Sequence, residues 1–229
     1  HHENEIAQSE CATDSKFANY WLHNGPLRID DKKMSKSLGN FFTVSEVLKK
    51  YKAEVVRYLL ISSHYRSPIN YSEKSLQQSA KALERIYISL KDLKIEDAKS
   101  LTNSRHEKAF FSAMDDDFNT AEACSVLFEM VSEINKLKST NFDLANQLGK
   151  LLVKLGGTLG ILNLQPEEFL REDKSINLDE VAINSLVAER GQARKEKNWS
   201  RADEIRDQLL SMKVVVEDAN GASSWRIDR

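Results

Sequence analysis

The chain has 229 residues, 41% apolar and 30% charged, so it can bury one large or two small cores and lacks the composition of a disordered segment. Its formal net charge of −2 excludes a global positive field, so any RNA contact must come from local patches. No apolar run approaches the roughly 18 residues of a membrane span, and Cys11 and Cys124 fit neither disulfide-like nor CxxC spacing; no membrane partner and a reducing cytoplasm are expected.

The chain opens on His1-His2-Glu3-Asn4-Glu5 without a methionine, inside what already reads as a helix over 3–12, which suggests a fragment whose upstream portion is missing. On a helix, His1 and Glu5 are four residues apart and share a face, and imidazole plus carboxylate at that spacing is half of a zinc site. His2 and Glu5, three apart, are also compatible, and a charge-rich exposed helix start explains the same residues, so spacing leaves the choice open. Cys11 falls well round the helix from Glu5 and is not a ligand. Any further ligands would come from outside this chain.

Residues 19–30 read as short extended pieces around a turn at Gly25-Pro26. Then comes Lys33-Met34-Ser35-Lys36-Ser37-Leu38-Gly39-Asn40. Two lysines three residues apart supply mobile positive charge, the serines supply hydroxyl donors, and glycine lets backbone approach an anion. Phosphate binding and a merely solvated basic loop both fit that composition. Thr43-Val44-Ser45-Glu46 is a capping box, and apolar residues at 44, 47, 48, 51, 55, 58 and 59 predict one helix to about Ser62.

Past Pro68, a helix from about Ser72 carries a stripe at 76, 80, 83, 87 and 90. Ser104-Arg105-His106-Glu107 is a second capping box. Helices over 121–138 and 143–162 follow, each with one apolar face, which predicts an antiparallel bundle. Between them and Phe110, Asp115-Asp116-Asp117 cannot aim three carboxylates at one metal; Asp116, Asp117 or Asn119 is expected to cap the next helix. The polar stretch 163–178 reads as a linker. Helices over about 179–197 and 200–211 and a hairpin around Asn220-Gly221 close the chain. There Arg190, Arg194, Lys195, Lys197 and Arg201 surround Trp199. That composition suits stacking a splayed base beside held phosphates, and equally suits a small core plugged by Trp199 under a solvated charged face. Trp225 is expected to pack in the hairpin.

The motifs together resemble a known family. Lys33–Asn40 is similar to the KMSKS signature of class I aminoacyl-tRNA synthetases. HHENEIAQSE before it narrows the resemblance to cysteinyl-tRNA synthetases, as do Asn19–His23, Phe41–Val44, Val56–Tyr58, Ser63–Ser67, Met114–Thr120 and the tail. The resemblance implies a mainly α fold. Residues 1–66 would be the end of a catalytic domain with the KMSKS-bearing stem-contact region, 67–165 a helical bundle, 166–178 a linker and 179–229 a small α+β anticodon-binding domain.

It further implies that His1 and Glu5 bind zinc with two upstream cysteines, and that the zinc takes the cysteine thiolate and so excludes serine. Lys36, assisted by Lys33, would act in catalysis, with Ser35 and Ser37 joining them at ATP and Mg2+. Trp199 would stack on an anticodon base beside Arg194, Asp203 and Asp218. The partners implied are L-cysteine, ATP and tRNA-Cys, on a cytoplasmic monomer. Two alternatives are an amino-sugar cysteine ligase, which would lack residues 179–227, and a tRNA-binding module without catalysis.

Overall fold

The computed structural model describes residues 1–35, 40, 43–171, 180–196, 198–212, 214–219 and 222–227. The architecture is mainly α, as the periodicity predicts, with small sheets at two places. Helix α1 (Glu3–Thr13) buries none of its residues. Strands β1 (Leu27–Ile29) and β2 (Lys32–Lys33) form a hairpin closed by Asp30 and Asp31, both at positive φ (47° and 62°). Aspartate tolerates that left-handed region because its short side chain bonds locally. Strand β3 (Ile69–Tyr71) lies parallel to β1, giving the order β2-β1-β3, and Asn70 Oδ1 accepts the Asp31 N–H at 2.9 Å.

Where one helix is expected to Ser62, the structure has two, α2 (Val44–Lys50) and α3 (Ala53–Ile61). Tyr51 and Lys52 between them are extended (ψ 148° and 144°). The capping box at Thr43 and Glu46 forms as read. The break has a physical reason. Lys52 is buried, as is Glu54: the Lys52 Nζ donates to the Phe169 carbonyl and sits 4.2 Å from the centre of that ring.

The bundle comprises α4 (Glu73–Leu90), α5 (Arg105–Asp115), α6 (Thr120–Thr140) and α7 (Phe142–Thr158). Its centre is made of Leu76, Leu83, Phe110, Leu127, Ile134 and Leu152, all closed to solvent, and each falls on a stripe visible in the sequence. Asn141 alone joins α6 to α7. Its N–H donates to the Leu137 carbonyl and its Oδ1 accepts the Leu144 N–H, so one residue ends one helix and caps the next. Asn119 caps α6 by accepting the Glu122 N–H. At the other predicted box, Ser104 accepts the Glu107 N–H, but the Glu107 carboxylate reaches Asn103 N–H rather than Ser104.

The stretch 166–178 is predicted as a linker, yet Pro166–Arg171 forms helix α8, with Phe169 and Leu170 buried in the bundle core. Two apolar residues among charges give too short a stripe to register as a helix, and proline suits a first helical position. Residues 172–179 lie outside the described ones. Beyond them, α9 (Glu180–Lys195), α10 (Trp199–Ser211), β4 (Val214–Ala219) and β5 (Ala222–Ile227) enclose a second core of Ile183, Val187, Ile205, Leu209, Val214 and Trp225.

Candidate functional sites

Helix α1 begins at Glu3, so the first imidazole precedes it. His2 is the N-cap, with φ 66°, and its Nδ1 lies 3.9 Å from Glu5 Oε2. The same-face argument for His1 and Glu5 assumed that His1 is helical, and it is not. His1 instead has its ring 6.3 Å from that of His2 and 6.2 Å from that of His23, with Trp21 stacked on His2 at 5.7 Å. Among the described residues no group of three or more histidine, cysteine, aspartate or glutamate side chains has the geometry of a metal site. The donor chemistry, exposed imidazoles over a carboxylate, fits half a zinc shell and no more.

The lysine loop grows from the sheet. Lys33 ends β2 with its side chain in solvent, and Ser35 is half-buried. Asn40 ties the two ends of the loop together: its Oδ1 accepts the Ser35 N–H at 2.9 Å and its Nδ2 donates to the Lys33 carbonyl at 3.1 Å. Sequence reading missed that residue, although an amide at the loop's exit, able to donate and accept at once, was the available signal. Lys36, Ser37, Leu38, Gly39, Phe41 and Phe42 lie outside the described residues.

In the last unit the two tryptophans part ways. Trp225 is 4% exposed and its Nε1 donates to Asn184 Oδ1 at 2.8 Å, so it fills the core as expected. Trp199, at the start of α10, is 58% exposed, so it does not plug that core. Asp203 follows it by one turn and is exposed, as is Arg194 on α9. The basic patch is thinner than the sequence suggests. Arg190 is buried, and Arg201 pairs with Glu189 at 2.8 Å and Glu204 at 3.0 Å, bonds that raise its pKa. The side chains of Lys195 and Asp218, and all of Lys197, fall outside the described set.

Comparison with known proteins joins these pieces. Residues 1–81 match the family described as "tRNA synthetases class I (C) catalytic domain", and residues 109–163 the DALR domain. Residues 180–226 match the "Cysteinyl-tRNA ligase anticodon binding domain". These matches place the chain among class I aminoacyl-tRNA synthetases.

Curated relatives are more specific. The chain is 53% identical over 227 residues to the cysteine–tRNA ligase of Ectopseudomonas mendocina, covering 99% of this chain and 49% of that one. It is 52% identical to that of Azotobacter vinelandii and 53% to that of Stutzerimonas stutzeri, with the same coverage. The chain belongs to the cysteine–tRNA ligase family, and it spans about half the length (49%) of the curated relatives it matches. Among solved structures it is similar to a leucyl-tRNA synthetase from Agrobacterium radiobacter K84 in a ternary complex with tRNA. The TM-score is 0.46 and the identity 17%, over 86% of this chain and 31% of that one, a likeness too distant to bear on function.

Proposed function

We propose that this chain is part of a cytoplasmic, monomeric ligase that activates L-cysteine with ATP and Mg2+ and transfers it to tRNA-Cys. The observation that carries the reading is the end-to-end identity with cysteine–tRNA ligases, 53% over 227 residues. In the reaction, the cysteine carboxylate attacks the α-phosphate of ATP, pyrophosphate leaves, and the adenylate then passes cysteine to the tRNA. Negative charge builds on the departing pyrophosphate, and lysine ammonium groups held near it stabilise that charge more in the transition state than in the ground state. Lys36 is assigned this contact, with Lys33, Ser35 and Ser37 assisting. The Asn40 clip between Ser35 and Lys33 supports the assignment, because it fixes where the loop leaves the sheet.

His1 and Glu5 would hold zinc together with two ligands outside this chain. Bound there, zinc would supply a soft Lewis acid that prefers a thiolate to a hydroxyl and so separates cysteine from serine. At the other end, Trp199 offers an exposed indole for a splayed anticodon base, and Arg194, Asp203 and Asp218 would be its hydrogen-bonding neighbours. Stacking of this kind contributes about 1–3 kcal/mol per base.

The test is cysteine-dependent ATP–pyrophosphate exchange by a ligase of the family's full length and by residues 1–229 alone. Exchange is expected from the first and not from the second. Lys36→Ala should slow exchange by about 100- to 1,000-fold, as loss of one preorganised donor does at comparable sites. A loss below about tenfold removes Lys36 from this role.

A further inference from the structure

The connection between α5 and α6 makes contacts that neither helix capping nor the proposed chemistry uses. Asn119 does the capping, which leaves Asp117 free for another task. Asp117 and the exposed Phe118 both sit at positive φ (52° and 54°). For phenylalanine that backbone is strained, and burial of its ring does not compensate.

What the turn achieves is a contact with residues 63–66. Asp117 Oδ1 accepts the Tyr65 hydroxyl at 2.8 Å and an Arg66 guanidinium N–H at 3.2 Å. Arg66 Nε lies 2.8 Å from Asp117 Oδ2, and His64 Nε2 lies 3.1 Å from the Asp117 carbonyl oxygen. The Thr120 hydroxyl donates to the Ser63 carbonyl at 3.4 Å. On its other side the same segment is seated on the sheet. Gly25 N–H donates to the Tyr65 carbonyl at 2.8 Å, and a Cβ on Gly25 would stand 2.2 Å from the Ser67 carbonyl oxygen. Only glycine lets these two backbones approach so closely. Pro26 then accepts the Ile69 N–H at 3.1 Å, and β1 follows, leading to β2 and the lysine loop.

An exposed aspartate–arginine pair contributes little to stability on its own, so stability does not explain why two residues are held left-handed to form it. A geometric role does. Residues 63–67 are clamped between the bundle and the sheet, with Asp117 holding Tyr65 and Arg66 and Thr120 reaching Ser63.

We propose that Asp117 is a positioning residue for the transfer step, fixing the bundle against the sheet that carries the lysine loop so that tRNA held by the helical units meets the active site in register. This rests on the ligase reading above. Activation needs only cysteine and ATP at the sheet end, whereas transfer needs both ends aligned, so the two steps should separate. A misplacement of about 1 Å can cost a reaction up to about 100-fold without touching the reacting groups.

The experiment uses the full-length ligase with Asp117→Ala, Asp117→Asn and Tyr65→Phe, each assayed for ATP–pyrophosphate exchange and for tRNA charging. Exchange should stay within about twofold of wild type in all three, while kcat/KM for tRNA falls about tenfold in Asp117→Ala. Asp117→Asn, which still accepts from Tyr65, should recover part of that loss, and Tyr65→Phe should reproduce part of it. Charging that is unchanged in Asp117→Ala, or that falls in proportion to exchange, overturns the proposal. A wild-type ligase that charges no tRNA refutes the functional reading itself and is told apart by that control.

Discussion

Removing one oxygen from the interior tests how the bundle is held. Tyr87 is closed to solvent; its ring stacks on Phe169 with centroids 4.0 Å apart and planes 14° apart. Its hydroxyl donates to Glu54 Oε2 at 2.8 Å and accepts the Leu164 N–H at 3.3 Å. The Glu54 carboxylate also accepts the N–H groups of Leu162 (3.2 Å) and Asn163 (2.8 Å), so α3, α4 and the chain after α7 meet at one buried acid. Burial and the bond to Glu54 raise the pKa of the Tyr87 hydroxyl, which keeps it a donor at every accessible pH.

Tyr87→Phe keeps the ring and its stacking and deletes only the hydroxyl. Leaving a buried acceptor unpaired costs about 1–3 kcal/mol, and the Leu164 N–H, half-buried, regains part of its loss from water. The expected loss is about 2 kcal/mol, or about 4–8 °C in Tm for a chain of this length. Urea unfolding followed by far-UV circular dichroism measures it, with an unchanged slope against denaturant confirming that the folded state is otherwise the same. A loss below about 0.5 kcal/mol would mean that the acid is satisfied without Tyr87, and the three-way junction would not be what holds α3 to the bundle.

Two further outcomes follow from groups elsewhere in the fold. Glu133 accepts from His106 Nε2 at 2.9 Å and from Arg105 at 2.6 Å, bonds that hold its carboxyl below the usual value of 4.5. Its contribution is therefore complete above the unfolded value and is lost as pH falls through the lower, folded one. The Tm gap between wild type and Glu133→Gln should be open at neutral pH and close as pH drops below 4.5, and a gap constant across that range refutes the assignment. Burial pushes the Cys124 thiol up to about 12, whereas Cys11 is exposed. A thiol reagent at about pH 8 should label Cys11 at once and Cys124 only after denaturant is added; prompt labelling of both would mean that the α6 core is open.

The bundle was legible because its signal is periodic: 76, 83, 87 and 90 fall on one face of α4, and all four are buried. The split between α2 and α3 was not legible, since the partner that draws Lys52 inward, Phe169, lies 117 residues away in a stretch whose composition reads as a linker. The fates of the two tryptophans were half legible. Trp225 alternates with its strand neighbours and pairs across the hairpin with Val216, so an inward position follows from the pattern. Trp199 opens a helix, where the first turn has no fixed face, and only the fold shows its exposure. At the N-terminus, the same-face argument for His1 and Glu5 has meaning only on a helix, and the helix starts two residues after His1.

These contacts also show where the molecule keeps its apolar burial and where it uses polar bonds. Within the bundle, helices are joined by closed apolar stripes packed against one another. At its edges the joints are of another kind. Beside the packing of Tyr71 from β3 on the core, the α5–α6 connection bonds residues 63–66 through Asp117, and near the last unit the Arg171 guanidinium of α8 lies 5.6 Å from the centre of the Trp225 ring. Apolar stripes resist sliding because every displacement opens a void, while a few exposed hydrogen bonds set an angle and still allow small adjustment. On the proposed reading, a tRNA that must reach both the lysine loop and the exposed indole of Trp199 calls for both properties, a bundle that does not deform and junctions that set its angle at each end. Substitutions in the stripes should therefore lower stability and leave the ratio of activation to charging unchanged, whereas substitutions at the junctions should change that ratio with little effect on stability.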